Sequence, residues 1–253
     1  MIKRVSCVLR LLDSMSRRPL TASQAELFLD GELCKPVYKP GGYFVLIDLP
    51  EGEHRIGIRS GLFQPDEFSV TVSYAQAFDE RRDVVTVMMN PSPLHPMART
   101  GLAVRGCFEA DAPDVFYILG HTNGFKIAED HAVAGGCQIK LFALSASVTL
   151  PLICLVNDKD AKKAEFVEIT SVNSGSGDVY GLAAPLRFAH KRSTELIPML
   201  RYRCGEDGSF FVKPPSAVGR EGTRLKLFYE TSDGLVVREV PISSDGKALV
   251  GQA

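Results

Sequence analysis

Apolar and polar residues alternate with a period of two along most of the chain, the spacing that sends successive side chains to opposite faces of a strand. In the first third the alternation falls into the runs RVSCVLRLLD, QAELFLDG, GGYFVLIDL, HRIGIRS and EFSVTVSY. Turn residues separate them: Asp30-Gly31, Lys39-Pro40-Gly41-Gly42 and Pro50-Glu51-Gly52-Glu53. These are the residues that supply positive φ or a fixed φ to a tight turn. A strand and turn repeating about every ten residues is the rhythm of a sandwich or barrel. Within GGYFVLIDLPEGEHRIGIRS, Tyr43, Val45 and Ile47 share one face and Phe44, Leu46 and Asp48 the other, and the two runs read as an antiparallel hairpin. In EFSVTVSY the shared face is Phe68, Val70 and Val72.

The pattern continues downstream. Residues 75–83 (AQAFDERRD) read as a loop or helical turn, VVTVMMN as a strand, and NPSPLHPMART, with prolines at 91, 93 and 96, as a stiff linker. The middle segment offers GLAVRGCF, DVFYILGH, GFKIAE, QIKLFALS, VTLPLICLVND, EFVEITSV and DVYGLAAPLRF, enough strands for a second sandwich or a barrel. Two hairpins are read at the end, one across Gly205-Glu206-Asp207-Gly208 and one across Ser232-Asp233-Gly234, followed by a loose polar tail, SSDGKALVGQA. The fold class is therefore all-β: an immunoglobulin- or transthyretin-like sandwich over 1–90, a proline-rich linker over 91–101, a sandwich or barrel over 102–190, and a segment over 193–246 that forms a small sheet of its own or completes the middle domain.

The first segment resembles the carboxypeptidase regulatory-like domain, a transthyretin-like β-sandwich. The residues that carry the resemblance are Asp13, Pro19 and Leu20; then Gly42, Phe44, Asp48, Leu49, Pro50 and Gly52; then Gly61, Phe63 and Pro65. It covers residues 3 to 74. It implies a structural or adhesive module with no catalytic site, and it implies a fold rather than a role.

Composition narrows the function. The 253 residues carry a formal net charge of −1, with no basic excess to neutralise a nucleic-acid backbone. Tryptophan is absent, which argues against a carbohydrate-stacking platform. The longest apolar run, SVTLPLICLV, contains Pro151 and falls well short of the ~20 residues of a membrane span. Arg10 and Asp13 interrupt the only stretch that would serve as a secretory leader. The six cysteines form no CxxC pair and read as reduced, mostly buried thiols of a cytoplasmic chain.

Chemistry-bearing motifs are sparse. His121 and His131, ten residues apart with Glu129 and Asp130 beside them, are the pair a metal or acid–base site would use, although turn positions on a loop account for them as well. The glycine-rich stretch at 174–178 precedes a strand rather than the helix N-terminus a phosphate cradle needs. The expectation is thus no enzyme, with no catalytic, cofactor-binding or metal residues and no cofactor. The expected function is a non-catalytic structural or adaptor protein that docks through sandwich surfaces onto other proteins of a larger assembly, of which a phage-tail-like contractile injection particle is an example. Two other readings are a ligand- or glycan-binding module in the middle β segment, and a metal-dependent hydrolase around His121 and His131.

Overall fold

The structure, a computed structural model, describes residues 3–75, 84–99, 103–109, 111–120, 124–142, 150–173, 179–215, 224–242 and 247–250. It is all-β and divides into two compact units, Met1–Thr100 and Gly101–Ala253.

The first unit holds β1 (Val5–Asp13), β2 (Glu26–Leu29), β3 (Glu32–Cys34), β4 (Val37–Lys39), β5 (Tyr43–Ile47), β6 (Gly52–Arg59), β7 (Asp66–Val72) and β8 (Val84–Met89). They form two four-stranded sheets, β4-β5-β1-β8 and β3-β2-β6-β7. One core lies between them: Leu9, Leu11, Phe44, Leu46, Val87 and Met89 from the first sheet meet Leu27, Ile56 and Ile58 from the second, with Phe68 and Val70 packed alongside. The unit is a β-sandwich. Its first strand lies between β5, antiparallel, and its last strand β8, parallel.

The turn residues do specific jobs. Asp30 and Gly31 both adopt positive φ (50° and 90°) and close β2 onto β3 with Leu29 opposite Glu32, a two-residue turn of the primed type. The Asp13 carboxylate accepts hydrogen bonds from the Met15 N–H (2.9 Å) and the Ser16 hydroxyl (2.5 Å), bending the chain so that Pro19 bridges back to Leu12 and Leu20 is buried. Gly42, at φ 80°, runs so close to that bend that a Cβ there would lie 2.6 Å from the Leu11 carbonyl oxygen. Tyr74 donates to the Leu49 carbonyl (2.7 Å) and shares a hydrogen bond with Ser6 (2.6 Å), tying the segment after β7 to the turn after β5 and to β1.

One expectation about the first unit is corrected. The runs 43–47 and 52–59 are not a hairpin: β5 and β6 belong to opposite sheets. Asp48 (φ 54°), Pro50 and Gly52 (φ 133°) carry the chain across the core, so the two strands face each other instead of pairing. Residues 91–99, read as a stiff linker, lie against the first unit. Pro91 bridges to Phe63, the Ser92 N–H donates to the Leu62 carbonyl, and the buried His95 ring lies 5.0 Å from that of Phe63. The prolines rigidify a segment that is folded onto the sandwich.

The second unit contains β9 (Val104–Phe108), β10 (Val115–Leu119), β11 (Phe125–Lys126), β12 (His131–Ala132), β13 (Gln138–Lys140), β14 (Leu152–Asn157), β15 (Glu165–Asn173), β16 (Val179–Leu182), β17 (His190–Lys191), β18 (Glu195–Arg203), β19 (Ser209–Val212), β20 (Arg224–Thr231), β21 (Gly234–Pro241) and β22 (Lys247–Val250). A nine-stranded sheet runs β13-β16-β15-β14-β18-β10-β20-β21, with β11 also on β18. It is an open sheet, not a barrel. A three-stranded sheet, β19-β9-β22, and a two-stranded one, β12-β17, accompany it. Within the three-stranded sheet β22 pairs with β9 in parallel.

One half of a face of the large sheet packs against the three-stranded sheet through Phe108, Phe116, Tyr202, Phe210, Leu227 and Tyr229. Its other half carries a second core that includes Ile127, Ile139, Cys154, Ile169 and Leu196. Leu155, Met199 and Phe228 form an apolar cluster of their own, with Tyr117, Ile153, Ala164, Phe166 and Leu235 around them. The rings of Tyr117 and Phe166 stack 3.9 Å apart although β18 and β14 lie between their strands. A flat sheet would hold those strands ~14 Å apart, so the sheet curls toward this face.

The described residues of 193–246 form no sheet of their own. β18 sits in the middle of the large sheet, paired on one flank with β14 and on the other with β10. The turn at 205–208 joins strands of different sheets, because β18 pairs with β10 and β14 while β19 pairs with β9. Part of the expected loose tail is ordered: residues 247–250 form β22.

Candidate functional site

A cluster of ionisable side chains in the second unit centres on His190, which the sequence did not single out. Its imidazole is fully buried. Nδ1 lies 2.8 Å from Asp158 Oδ2, and Nε2 lies 2.8 Å from Glu165 Oε1. Glu165, 2% exposed at its side chain, also accepts from the backbone N–H groups of Arg187 (2.9 Å) and Phe188 (3.1 Å). The Arg187 guanidinium lies between Glu165 and Glu230 and pairs with both.

Five segments deliver these groups. Asp158 follows the end of β14; its Oδ1 accepts from the Asp160 N–H (3.0 Å), and Asp160 in turn caps the short 3-10 turn Ala161–Lys163. Glu165 opens β15, Arg187 lies on the crossover from β16 to β17, and Glu230 is near the end of β20. His190 is held by its strand, since Ala132 and His190 are register partners in the β12–β17 ladder.

A neutral imidazole has one N–H donor, and two carboxylates demand two. The cluster therefore holds the imidazolium. Burial alone pushes the His190 pKa down, but the hydrogen bonds to Glu165 and Asp158 outweigh it and hold the pKa above the ordinary 6.5. Burial likewise works against the ionised Glu165 and Asp158, and the hydrogen bonds from His190 and from backbone N–H groups overcome it, keeping both below the usual carboxylate range. With both ring nitrogens engaged and the ring closed to solvent, His190 offers no lone pair to a metal or substrate. The arrangement is an ionic pin for the crossover loop.

His121 lies outside the described residues, as does the side chain of His131. The backbone of His131 pairs with Lys191 in β12–β17. The neighbouring acids are engaged elsewhere: Glu129 accepts from the Lys140 N–H (3.1 Å), and Asp130 lies 3.6 Å from Arg192. Among the described residues, no group of three or more His, Cys, Asp or Glu side chains is placed to hold a metal ion. His54 sits with Nδ1 2.8 Å from Asp30 and Nε2 3.0 Å from the Pro50 carbonyl oxygen, an arrangement that raises its pKa through the Asp30 hydrogen bond first and the Pro50 one second.

The second candidate is the set of sheet edges. In the first unit β3 and β4 follow one another and end the two sheets on the same flank. They expose Leu33 (60%) and Val37 (42%). In the second unit β21 ends the large sheet, with eight residues of ladder to β20 on one side and Val237 half exposed. No helix among the described residues is long and apolar enough to cross a membrane.

No protein-family model and no curated protein sequence matches the chain. Among solved structures, the crystal structure of BcpA, the major pilin subunit of Bacillus cereus, is similar at 12% identity and a TM-score of 0.27 over 99% of both chains. The Bacillus anthracis TIE protein is similar at 8% identity and a TM-score of 0.26, over 98% of this chain and 50% of that one.

Proposed function

We propose that the protein is a non-catalytic structural or adaptor component that joins a larger protein assembly by adding partner strands to its sheet edges. The observation that carries this reading is the β3–β4 flank, where Leu33 and Val37 stand exposed on strands that end their sheets. An unpaired edge is a template for a partner strand, and apolar side chains beside it supply specificity pockets. The His190 cluster supports the same reading, because its side chains hold one another and leave nothing for a substrate.

The first unit is proposed as a carboxypeptidase regulatory-like module. Support comes from the roles of the residues behind that resemblance: Asp13, Gly42, Asp48 and Gly52 shape its turns, and Leu20, Phe44 and Phe63 fill its core. Residence in the cytoplasm fits six free thiols. The assembly proposed is a phage-tail-like contractile injection particle.

The test is a gentle pulldown of the tagged full chain from its native cells, with native sizing and mass spectrometry. Recovery in a large particle with fixed partners is expected. Leu33→Lys, which places a charge on the edge, is expected to lose those partners with its melting temperature unchanged. A lone monomer of about the chain mass, 27.6 kDa, would overturn the reading.

A second reading, a ligand-binding role for the second unit, draws on the concave face of the large sheet, where the half-buried Tyr117 and Phe166 rings lie close to the charged Glu168, Arg201 and Glu230. A thermal-shift screen of small polar ligands and glycans on the full chain tests it. A saturable rise lost in Tyr117→Ala supports it, and no shift counts against it.

A further inference from the structure

We propose that His190 is a proton-operated latch: protonated, it holds the 158–164 turn against the large sheet through Asp158; deprotonated, it keeps Glu165 and releases the turn.

The asymmetry between its two partners carries the argument. Glu165 is 2% exposed, opens a strand, and accepts two backbone N–H groups besides His190. It stays anchored whatever His190 does. Asp158 is 14% exposed at its side chain, and the other bond its carboxylate accepts comes from Asp160, within its own turn. His190 is thus the group that ties this carboxylate to the rest of the unit.

When the ring loses one proton it retains a single N–H. Keeping that N–H on Nε2 preserves the bond to the buried Glu165, and it turns the Nδ1 lone pair toward the Asp158 carboxylate. Two acceptors facing each other at 2.8 Å repel, and the more exposed one moves.

The charges around the ring set the same balance from every side. Asp158 faces it from the turn and Glu165 from β15; Lys163 acts on Asp158 from the same turn, Arg187 on Glu165 from the crossover loop, and Glu230 from β20 through Arg187. Lys191 is next to it on its own strand and is exposed, Ala132 is its register partner on β12, and Asp130 before β12 is paired with Arg192. Asp158, Glu165 and Glu230 are matched by Lys163, Arg187 and His190 only while His190 is charged.

Release has a structural consequence. The turn ends at Ala164, which packs with Phe166 against the Leu155, Met199 and Phe228 cluster. Lifting it uncovers apolar surface beside Leu235 of β21, the last strand of the same sheet.

Hydrogen–deuterium exchange of the full chain at pH 6 and pH 9, expressed as protection factors so that base catalysis cancels, tests the latch. Protection of the 158–164 amides is expected to fall about tenfold between the two, the order of one hydrogen bond to a charged group. Protection within Ile153–Val156 and Ile197–Tyr202 is expected to fall less, by no more than the loss of global stability as His190 deprotonates. Asp158→Asn, whose amide presents a donor or an acceptor as the ring requires, is expected to flatten the response. Unchanged protection of the turn, an equal loss in those strands, or an unaltered response in Asp158→Asn would overturn the proposal. If that variant does not fold, 15N shifts of the wild-type His190 ring decide: an alkaline form protonated on Nε2 is expected, and one protonated on Nδ1 overturns it.

Discussion

At Gly31 and Gly42 the same residue type meets two different constraints. Both have positive φ, but a Cβ at Gly31 meets nothing within 4 Å, while at Gly42 it would lie 2.6 Å from the Leu11 carbonyl oxygen and 2.9 Å from Pro19 Cβ. Gly31→Ala is expected to cost about 1 kcal/mol, from backbone conformation alone. Gly42→Ala is expected to cost about 3 kcal/mol or more, because the bend after β1 must shift as well. Urea denaturation of the two variants checks the difference. The cysteines separate similarly. Cys137 is exposed, whereas burial pushes the thiols of Cys154 and Cys204 up to about 12. A thiol reagent added to the native protein is expected to modify Cys137 first and to reach Cys154 only on unfolding. Turn residues such as Asp30-Gly31 were legible in the sequence because their chemistry is local. His190 was not: Asp158 and Glu165 lie 32 and 25 residues away, and their approach depends on how the crossover from β16 packs.

For strands, period-two alternation identified almost every long element, yet it did not say which strand pairs with which. The runs 43–47 and 52–59 read as a hairpin and lie in opposite sheets, and the chain leaving the 205–208 turn joins β9 instead of folding back on β18. A turn fixes the local change of direction. The sheet that receives the next strand is chosen by side chains far along the chain, here Phe108, Phe116 and Phe210, whose rings lie 5.1–5.9 Å apart. The two-residue strands β12 and β17 are too short to show alternation at all. Phe116 touches both sides of this core and is fully buried, so Phe116→Ala is expected to destabilise the second unit by about 3–5 kcal/mol in denaturant titrations.

For the molecule as a whole, the ionic cluster sets a pH window. Glu165 and Asp158, with lowered pKa values, contribute stability that is complete above their ordinary values of 4.5 and 3.8 and is lost as pH falls through the folded ones. His190, with a raised pKa, contributes stability that is complete below its ordinary 6.5 and is lost as pH rises through the folded one. Stability of the second unit is expected to be greatest between pH 4.5 and 6.5 and to fall on both sides, with the alkaline fall absent in His190→Gln; melting curves across pH check this. Another whole-chain feature concerns force. Each unit pairs its first strand in parallel with its last, β1 with β8 over six residue pairs and β9 with β22 over four. Parallel strands put the incoming and outgoing chain at opposite ends of the ladder, so tension between the ends of a unit shears all its rungs at once instead of peeling them one by one. Pulled from its ends, the chain should resist as a stiff link, and the longer ladder of the first unit should yield last.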